Sequence, residues 1–386
     1  MKKFKTIIGI WVALSVIVLM GCVDKFEADI SKIPVEGLVI EGNIISDSTV
    51  VFNLNKKLPL TYSDEYQDQY DVYMDVDAEL FVLGSDGTSW VGQSLGKGQY
   101  RVEIGTLKPE VEYHLVVKYE NDTYQSAPQK PLETIEIENL KFIQPDLEGP
   151  VIVLLDSKEA SADDSRYYQW YFEEDWELRA KFVTPILYDY DTDKIVRYDF
   201  PPVAQGWRHY GADQFILGTT ESNLINRIVN RTIHTIQNTD RRLSVLYSIR
   251  TYQRTLTRQE FEYYQERAKL NLDMGGLFTP QPTEFPTNIT CSNSERSVIG
   301  YVGCNMGVSQ RQLYIPTEEV VYIDKFDCEF GSEPEGTYRE KYMAGFQISD
   351  DSYIWAKGEC VDVTWLGADP KGRPDWWPNP YLYYKE

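Results

Sequence analysis

The sequence predicts a mostly β protein with an N-terminal immunoglobulin-like β-sandwich, followed by a larger β-rich domain with at least one inserted helix. Three observations predict this fold. Short runs of alternating apolar and polar residues recur along the first third of the chain, with turn residues between them. The 28 tyrosines and the many Val, Ile and Thr residues favour sheet over helix. Only one segment carries signals for both the start and the end of a helix.

The first 21 residues are typical of an export signal. A lysine-rich start precedes an apolar run, residues 7–20, which is too short to span a bilayer, since that takes ~20 residues. Cys22 follows directly after Leu-Met-Gly, the arrangement of a lipoprotein signal peptide (1–21). We expect Cys22 to carry a diacylglyceryl group and to anchor the protein to membrane lipid through several acyl chains. An uncleaved anchor helix is the alternative. Residues 22–36 are interpreted as a lipidated tether.

Composition excludes several classes of protein. The chain has a formal net charge of −22, and removal of a basic signal makes it more negative. We therefore expect no nucleic-acid partner and no direct attraction to an anionic lipid surface. With 42% hydrophobic and 13% aromatic residues, the chain is too apolar to be a disordered acidic tail.

Residues 37–134 are predicted to form the immunoglobulin-like β-sandwich. An Asp-Gly pair at residues 86–87 supplies the positive φ that a tight hairpin needs. Short strands at regular spacing, with no helical pattern among them, are typical of this fold. The predicted strands are Leu38–Glu41, Val50–Leu54, Ala78–Leu83, Gln99–Ile104 and Glu112–Tyr119.

Residues 135–386 are predicted to form the β-rich second domain. Val151–Leu155 is apolar throughout, as in a short strand that is buried on both faces. Tyr167–Phe172 and Leu243–Arg250 are predicted as further strands. The region from Asp189 to Asp213 shows no assignable pattern.

One helix is predicted near residues 258–270. Thr257 and Glu260 have the spacing of a capping box, in which each side chain satisfies a free amide of the first helical turn. A Gly-Gly pair at residues 275–276 marks the predicted end.

Four cysteines remain if Cys22 is lipidated: Cys291, Cys304, Cys328 and Cys360. An even number in an exported chain predicts two disulfides. We favour pairing Cys291 with Cys304 and Cys328 with Cys360, because these pairs close the shortest loops. Free buried thiols are one alternative. A zinc site is the other and is disfavoured, because the chain has no CxxC pair and no histidine at metal-binding spacing from a cysteine.

No catalytic motif is present in the sequence. It contains no GxSxG, HExxH or Walker loop, and its three histidines leave few general bases. We therefore expect neither an enzyme nor a cofactor. Neighbouring carboxylates such as Glu173-Glu174-Asp175 could serve a glycosidase, but in so acidic a chain a solvated edge is expected. A hydrolase would require two carboxylates facing each other in a deep cleft.

The triplet Asp189, Asp191 and Asp193 has the spacing of calcium ligands in a loop. Lys194 stands where such a loop needs glycine, and Phe200 stands where it needs a bidentate glutamate. A polar turn is therefore favoured, and no metal site is predicted.

The aromatic C-terminal region supplies candidate contact residues for a ligand or partner. Exposed Trp and Tyr side chains can stack on sugars or form protein contacts. The favoured alternative is that this segment packs its rings onto the second sheet. The candidates are Trp365, Trp376, Trp377 and Tyr381.

A set of sequence landmarks runs along most of the chain: Leu38–Gly42, Gly98–Tyr100, Tyr113–Leu115, Tyr167–Trp170, Gly275–Phe278, Pro282, Asn288–Ile289, Val298–Tyr301, Cys360–Asp362 and Pro374–Trp377. Taken together, they resemble a family of Bacteroidota lipoproteins with a domain of unknown function numbered 4249. A Cys-x-Asp-Cys end is typical of that family, but here Val363 replaces the second cysteine, so the family's cysteine pairing does not transfer directly.

The resemblance implies an outer-membrane lipoprotein of the kind commonly encoded beside TonB-dependent transporters. Acidic residues after Cys22 (Asp24, Glu27 and Asp29) resemble the signal that sends such proteins to the cell surface. We therefore expect a non-enzymatic accessory or ligand-capture subunit of a β-barrel transporter, with its ligand, whether small molecule, peptide or glycan, left open. The alternative is a free-standing surface glycan-binding module or adhesin.

Overall fold

A computed structural model describes most of the chain beyond the tether. The export signal, Cys22, the tether to residue 36 and Tyr381 lie outside the described residues. Within the described part, no helix is both long and apolar enough to cross a membrane. The described residues are 37–56, 76–161, 165–199, 201–211, 215–273, 286–294, 296–344, 346–347 and 354–378.

The first unit is a sandwich of two sheets, with strands numbered in chain order. One sheet contains the order β1-β2-β6-β5, and the other contains β4-β3-β7-β8. These orders correspond to A-B-E-D facing C′-C-F-G in an immunoglobulin domain, which confirms the predicted fold. The strands are β1 (Gly37–Ile45), β2 (Ser48–Lys56), β3 (Glu79–Gly84), β4 (Ser89–Val91), β5 (Gln93–Gly96), β6 (Gln99–Ile104), β7 (Tyr113–Tyr119) and β8 (Asp122–Ser126).

Each sheet of this sandwich gains one more strand from much later in the chain. β18 (Ile289–Cys291) pairs with β8, and β19 (Ser297–Asn305) runs parallel to β1 along its whole length. Val302 and Cys304 on β19 are buried in the core of this first sandwich. The structure therefore differs from the predicted division at residue 134, because local periodicity carries no information on which distant strand an edge will pair with.

The second unit repeats the same arrangement of strands. A three-stranded sheet, β9-β10-β16, faces a sheet ordered β14-β11-β17-β20, so A-B-E faces C′-C-F-G again. The short β15 pairs with the first part of β11. The strands are β9 (Ile137–Ile143), β10 (Val151–Ser157), β11 (Tyr167–Arg179), β14 (Gln205–Gly211), β15 (Ile216–Thr219), β16 (Arg231–Ile236), β17 (Leu246–Leu256) and β20 (Ser309–Pro316).

The predicted helix is confirmed as α1 (Arg258–Asp273) and connects the two sandwiches. Thr257 caps it, since its Oγ1 accepts a hydrogen bond from the backbone N–H of Glu260 at 3.0 Å. On one side, Arg267 donates to Glu41 of β1 at 2.6 Å. On the other side, Phe261 packs against the ring of Tyr167 on β11, with ring centroids 5.1 Å apart.

A buried polar network holds this junction. The guanidinium of Arg254 on β17 and the carboxylate of Glu260 on α1 are 2.6 Å apart, and both side chains are at most 2% exposed. Arg254 also donates to Gln169 on β11 at 2.8 Å, to Asn305 on β19 at 3.2 Å and to Asn43 on β1. Strands of both sandwiches therefore share one cation, which fixes them relative to each other.

A small disulfide-linked layer lies at the end of the chain. Cys328 and Cys360 are bonded, with Cα atoms 5.8 Å apart, and enclose a core that includes Tyr188, Tyr342 and Trp355. Its elements are β12 (Ile186–Asp189), β13 (Lys194–Arg197), β21 (Phe330–Ser332), β22 (Phe346–Gln347), β23 (Ile354–Ala356), α2 (Tyr338–Ala344) and α3 (Gly358–Val361).

One of the two favoured disulfides is confirmed, and the other is wrong. Cys328 pairs with Cys360 as predicted, whereas Cys291 and Cys304 are both free thiols. Cys291 lies on β18 and Cys304 on β19, which belong to opposite sheets. Closeness in sequence therefore did not decide the pairing of these two cysteines.

Candidate functional site

A cleft with a volume of about 790 Å³ opens between the two sheets of the second sandwich. It forms where β14 and β16 are edge strands, because the three-stranded sheet is narrower than the sheet it faces. Alternate residues of β11 make its floor, since every second side chain of a strand points to the same face. The cleft is lined by Phe172, Glu174, Trp176, Leu178, Arg208, Tyr210, Phe215, Ile216, Ile233, His234, Asp240, Arg241, Arg242 and Leu366.

Glu174 is the buried anion of the cleft, with a side chain only 1% exposed. Its Oε1 accepts hydrogen bonds from the Tyr247 hydroxyl at 2.7 Å and from Arg242 Nη1 at 2.6 Å, and lies 3.3 Å from His234 Nε2. Burial alone raises the pKa of Glu174, but these hydrogen bonds and the charge of Arg242 outweigh it, so the pKa lies below its usual value. Glu174 is therefore ionised in the folded protein.

Arg242 is the counter-ion of two carboxylates. Besides Glu174, it bonds Asp240, with Nη2 and Oδ2 2.8 Å apart. Burial opposes the charge of Arg242, but Asp240 and Glu174 outweigh it and raise its pKa. The pKa of Asp240 is lowered, because hydrogen bonds from Arg242 overcome the effect of burial. These three side chains satisfy one another and form a rigid wall.

The other two arginines of the cleft have no ion pair with any described carboxylate. Arg208 lies 5.3 Å above the ring of Trp176, its cross-strand neighbour, and donates a hydrogen bond to the Leu366 carbonyl, at 3.2 Å. Arg241 lies 4.0 Å above the Phe326 ring. Its Nη1 is buried and has no hydrogen-bond partner in the described part of the chain. Burial lowers the pKa of Arg241, although arginine stays protonated near neutral pH.

The carboxylates of this cleft are not arranged for hydrolysis. A glycosidase needs one free acid and one free base across the scissile bond, whereas Glu174 and Asp240 are both held by Arg242. The described residues also contain no group of three His, Cys, Asp or Glu side chains placed to hold a metal ion.

The run Glu173-Glu174-Asp175 is not the solvated edge that the sequence suggested. Its side chains alternate across β11, so Glu174 points into the cleft while Glu173 and Asp175 lie on the outer face. Asp175 is buried and lies 2.9 Å from His209 of β14, and Glu173 accepts a hydrogen bond from Tyr252 at 2.8 Å. Burial raises the pKa of Asp175 against the opposing effect of His209.

The three aspartates with calcium-loop spacing lie in the turn between β12 and β13. Asp189 Oδ1 accepts hydrogen bonds from the backbone N–H groups of Asp191 and Thr192, at 2.9 and 3.2 Å. Asp193, in the left-handed region with φ +57°, accepts a hydrogen bond from Tyr188. These residues thus form the polar turn that the sequence analysis favoured.

The tryptophans of the C-terminal segment have different environments. Trp377 is 3% exposed and packs with Trp207 and Leu246, so it is part of a core and cannot be a contact residue. Trp376 is 36% exposed and Trp365 is 54% exposed. Trp365 directly precedes Leu366, which lines the cleft.

A second surface with possible ligand chemistry lies on the outer face of β11, β17 and β20. Tyr171 and Tyr252 are cross-strand neighbours whose rings stack 4.7 Å apart. Tyr314 lies 6.2 Å from Trp376, and Arg250 lies 5.2 Å from the Trp376 ring. These five residues form what we call the outer aromatic row.

Sequence reasoning missed the arginines of the cleft. Arg208 falls in the region for which no pattern was found, and Arg241 lies in a short 3₁₀ turn. The available signal was the alternation of β11, which places Phe172, Glu174 and Trp176 on one face.

The fold and the cleft define a β protein of two joined sandwiches with a ligand-sized opening in the second. The family model for a domain of unknown function, DUF4249, matches residues 23–311. The chain therefore belongs to the DUF4249 family.

Comparison with other proteins adds no activity. No curated protein matches the chain. Among solved structures, it is similar to a two-domain fibronectin type III segment of chicken tenascin, with 8% identity and a TM-score of 0.13, over 56% of this chain and 90% of that one.

Proposed function

We propose that this protein is a surface-exposed lipoprotein of the outer membrane, anchored through Cys22, that captures a ligand as a non-enzymatic accessory subunit of a TonB-dependent transporter. The cleft of the second sandwich is the observation that carries this proposal. Its volume of about 790 Å³ falls in the range of ~300–1,000 Å³ typical of ligand sites. Its walls are mainly apolar and aromatic, and its carboxylates are held in ion pairs with Arg242, which suits binding rather than hydrolysis.

The membrane part of the proposal is supported by the sequence. The basic start, the short apolar run and the position of Cys22 are those of a lipoprotein signal. The transporter part is supported by the resemblance to Bacteroidota lipoproteins encoded beside such transporters.

The rigid junction between the sandwiches fits this role. Arg254 bonds residues of both units, so the cleft keeps a constant orientation relative to the first sandwich. A capture subunit must present its ligand to a partner in a defined direction, and a fixed cleft lowers the entropy lost on docking.

Affinity purification tests the partner. The protein, tagged at its C-terminus, is extracted from native outer membranes in a mild detergent, and co-purifying proteins are identified by mass spectrometry. We expect a β-barrel transporter in stoichiometric amount, and its absence would reject the accessory role. Mass spectrometry of the N-terminal peptide tests the anchor, and an unmodified thiol at Cys22 would reject it.

A free-standing glycan-binding module is the second candidate, favoured by the outer aromatic row. Rings presented along one flat sheet face can stack on sugars. A glycan array probed with the full-length protein and with Trp376→Ala tests this function. Trp377→Ala is unsuitable, because Trp377 is buried and its loss would perturb the fold. Binding that Trp376→Ala abolishes would favour the module over the accessory subunit.

A further inference from the structure

The cleft has a charge opposite to that of the whole chain. The protein carries a net charge of −22, yet three arginines and two carboxylates line the cleft. Both carboxylates, Glu174 and Asp240, already bond Arg242. Neither Arg208 nor Arg241 forms a close ion pair with a carboxylate of the described residues, although the charges of Asp324 and Glu359 act on Arg241 from a greater distance.

Arg241 is the more constrained of these two cations. Phe326 covers one face of its guanidinium at 4.0 Å, and its Nη2 reaches only the carbonyl of Arg179, at 3.5 Å. Its Nη1 is buried without any partner in the described part of the chain. This atom is closed off from solvent, so Arg241 acts on a ligand in the cleft through its charge, which adds to the positive potential there.

Arg208 offers a second set of donors from the opposite wall. It stands on the edge strand β14, with the carbon of its guanidinium 5.3 Å from the centre of the Trp176 ring. Among the described residues, only its Nη1 has a hydrogen-bond partner, the carbonyl of Leu366. Its other N–H groups can meet a carboxylate or phosphate, for which a planar guanidinium has matching geometry.

The remaining lining residues are apolar or aromatic. One wall of the cleft is formed by Phe172, Trp176, Tyr210, Phe215 and Ile216. A fully hydrated inorganic ion would leave these side chains exposed to water. A ligand that buries this wall needs an apolar body of its own.

We infer that the cleft binds a small amphipathic organic anion, whose carboxylate or phosphate group pairs with Arg208 and is attracted by the charge of Arg241, and whose ring or chain lies on the aromatic wall. This inference deepens the proposed capture function by naming the class of ligand. The binding itself does not require the transporter.

Equilibrium dialysis of the full-length protein against 1-naphthyl phosphate tests the inference. Both compartments contain the same detergent, which cancels partition into micelles. We expect one binding site per chain. Inorganic phosphate has the charge without the ring, and 1-naphthol has the ring without the charge, so each should bind at least tenfold more weakly.

Variants of the two arginines locate the site. Arg208→Gln and Arg241→Gln should each weaken binding at least fivefold, and the double variant at least twentyfold. Arg101→Gln, at an exposed position of β6 in the first sandwich, is the matched control and should leave binding unchanged. Circular dichroism checks folding, and Arg208→Gln remains a valid test if Arg241→Gln does not fold, because Arg208 is exposed.

Three outcomes would overturn the inference: no binding to the unmodified protein, equal binding of 1-naphthol, or equal binding by the folded arginine variants. Any of these results together with a transporter in the affinity purification would reject the ligand class and keep the accessory role. The reverse combination would keep the ligand class and reject the partner.

Discussion

Replacing Arg254 by methionine would leave the carboxylate of Glu260 buried without its counter-ion. In the native protein the two groups are 2.6 Å apart and at most 2% exposed. Glu260 Oε2 already lacks a hydrogen-bond partner among the described residues, so Arg254 is the main stabilising contact of this carboxylate. The side-chain oxygens of Gln169 and Asn305 would lose their donor as well.

Breaking a buried ion pair from one side costs about 3–5 kcal/mol. With an unfolding entropy of ~2.1 cal/mol/K per residue, a loss of about 4 kcal/mol lowers Tm by about 5 °C in a chain of this size. Differential scanning calorimetry measures this shift directly. Arg258→Met is the matched control. Arg258 is 69% exposed and pairs with Glu262 at 3.2 Å, so its loss should cost less than about 1 kcal/mol.

The loss in the free energy of unfolding caused by Arg254→Met should depend on pH in a defined direction. Burial raises the pKa of Glu260 even in the native protein, against the opposing effect of Arg254, and removing Arg254 raises it further. A carboxyl whose pKa is higher in the folded state loses its stabilising contribution as pH rises through that value. The variant should therefore be more destabilised at pH 8 than at pH 5.

A double variant separates charge from packing. In Arg254→Met with Glu260→Leu no uncompensated charge is left, so most of the lost stability should return. An Arg254→Met variant as stable as Arg258→Met, or a loss equal at pH 5 and pH 8, would refute the role assigned to this pair.

Three further predictions concern other parts of the fold. Gly303→Ala should lower the free energy of unfolding by about 1–3 kcal/mol, because a Cβ there would lie 2.5–2.6 Å from atoms of the junction network. At Gly331 a Cβ would have no heavy atom within 4 Å, so Gly331→Ala should leave the stability measured by urea unfolding unchanged. Burial raises the pKa of the Cys304 thiol to about 12, so iodoacetamide at pH 8 should label it only after unfolding, as counted by mass spectrometry. Trp377→Ala should lower the free energy of unfolding by about 3–5 kcal/mol, and Trp376→Ala should lower it by about 1 kcal/mol. Equal losses would contradict the different burial of the two side chains.

Local sequence patterns were sufficient to predict elements that depend on neighbouring residues of the chain. The alternation of Gln99–Ile104 predicted β6, with Tyr100, Val102 and Ile104 inside and their neighbours outside. Thr257 predicted the start of α1 to the residue. The pairing of Cys328 with Cys360 followed from loop length, because both cysteines belong to one small layer.

Local patterns were insufficient where the structure joins distant segments. Ser297–Asn305 has ordinary strand character, and nothing in it indicates that it pairs with β1 rather than with a strand of the second unit. The choice is made by packing: its inward side chains, Val302 and Cys304, complete the core of the first sandwich. The same placement puts Cys304 on the other sheet from Cys291, and both are free thiols rather than the predicted disulfide.

The positive charge of the cleft could not be derived from composition, because the chain as a whole carries a net negative charge. An acidic chain predicts acidic surfaces, but strand register decides which charges meet. β11 and β14 pair so that Arg208 lies opposite Trp176, and the turn before β17 brings Arg241 to the same opening. The two cations are far apart in the sequence and lie on elements that carry no motif. Their convergence appears only once both sheets are assembled.

Glu260 shows how one residue can satisfy a local motif and serve a different tertiary role. A capping box predicts that its side chain turns back to the start of its own helix. Thr257 caps the helix, and its backbone N–H in turn lowers the pKa of Glu260, as in a capping box, while the same carboxylate also binds Arg254. A buried cation attracts a carboxylate more strongly than an amide does, so the tertiary contact is the stronger of the two. The helix start was therefore predictable from four residues, whereas the contact that fixes the two sandwiches together required the whole fold.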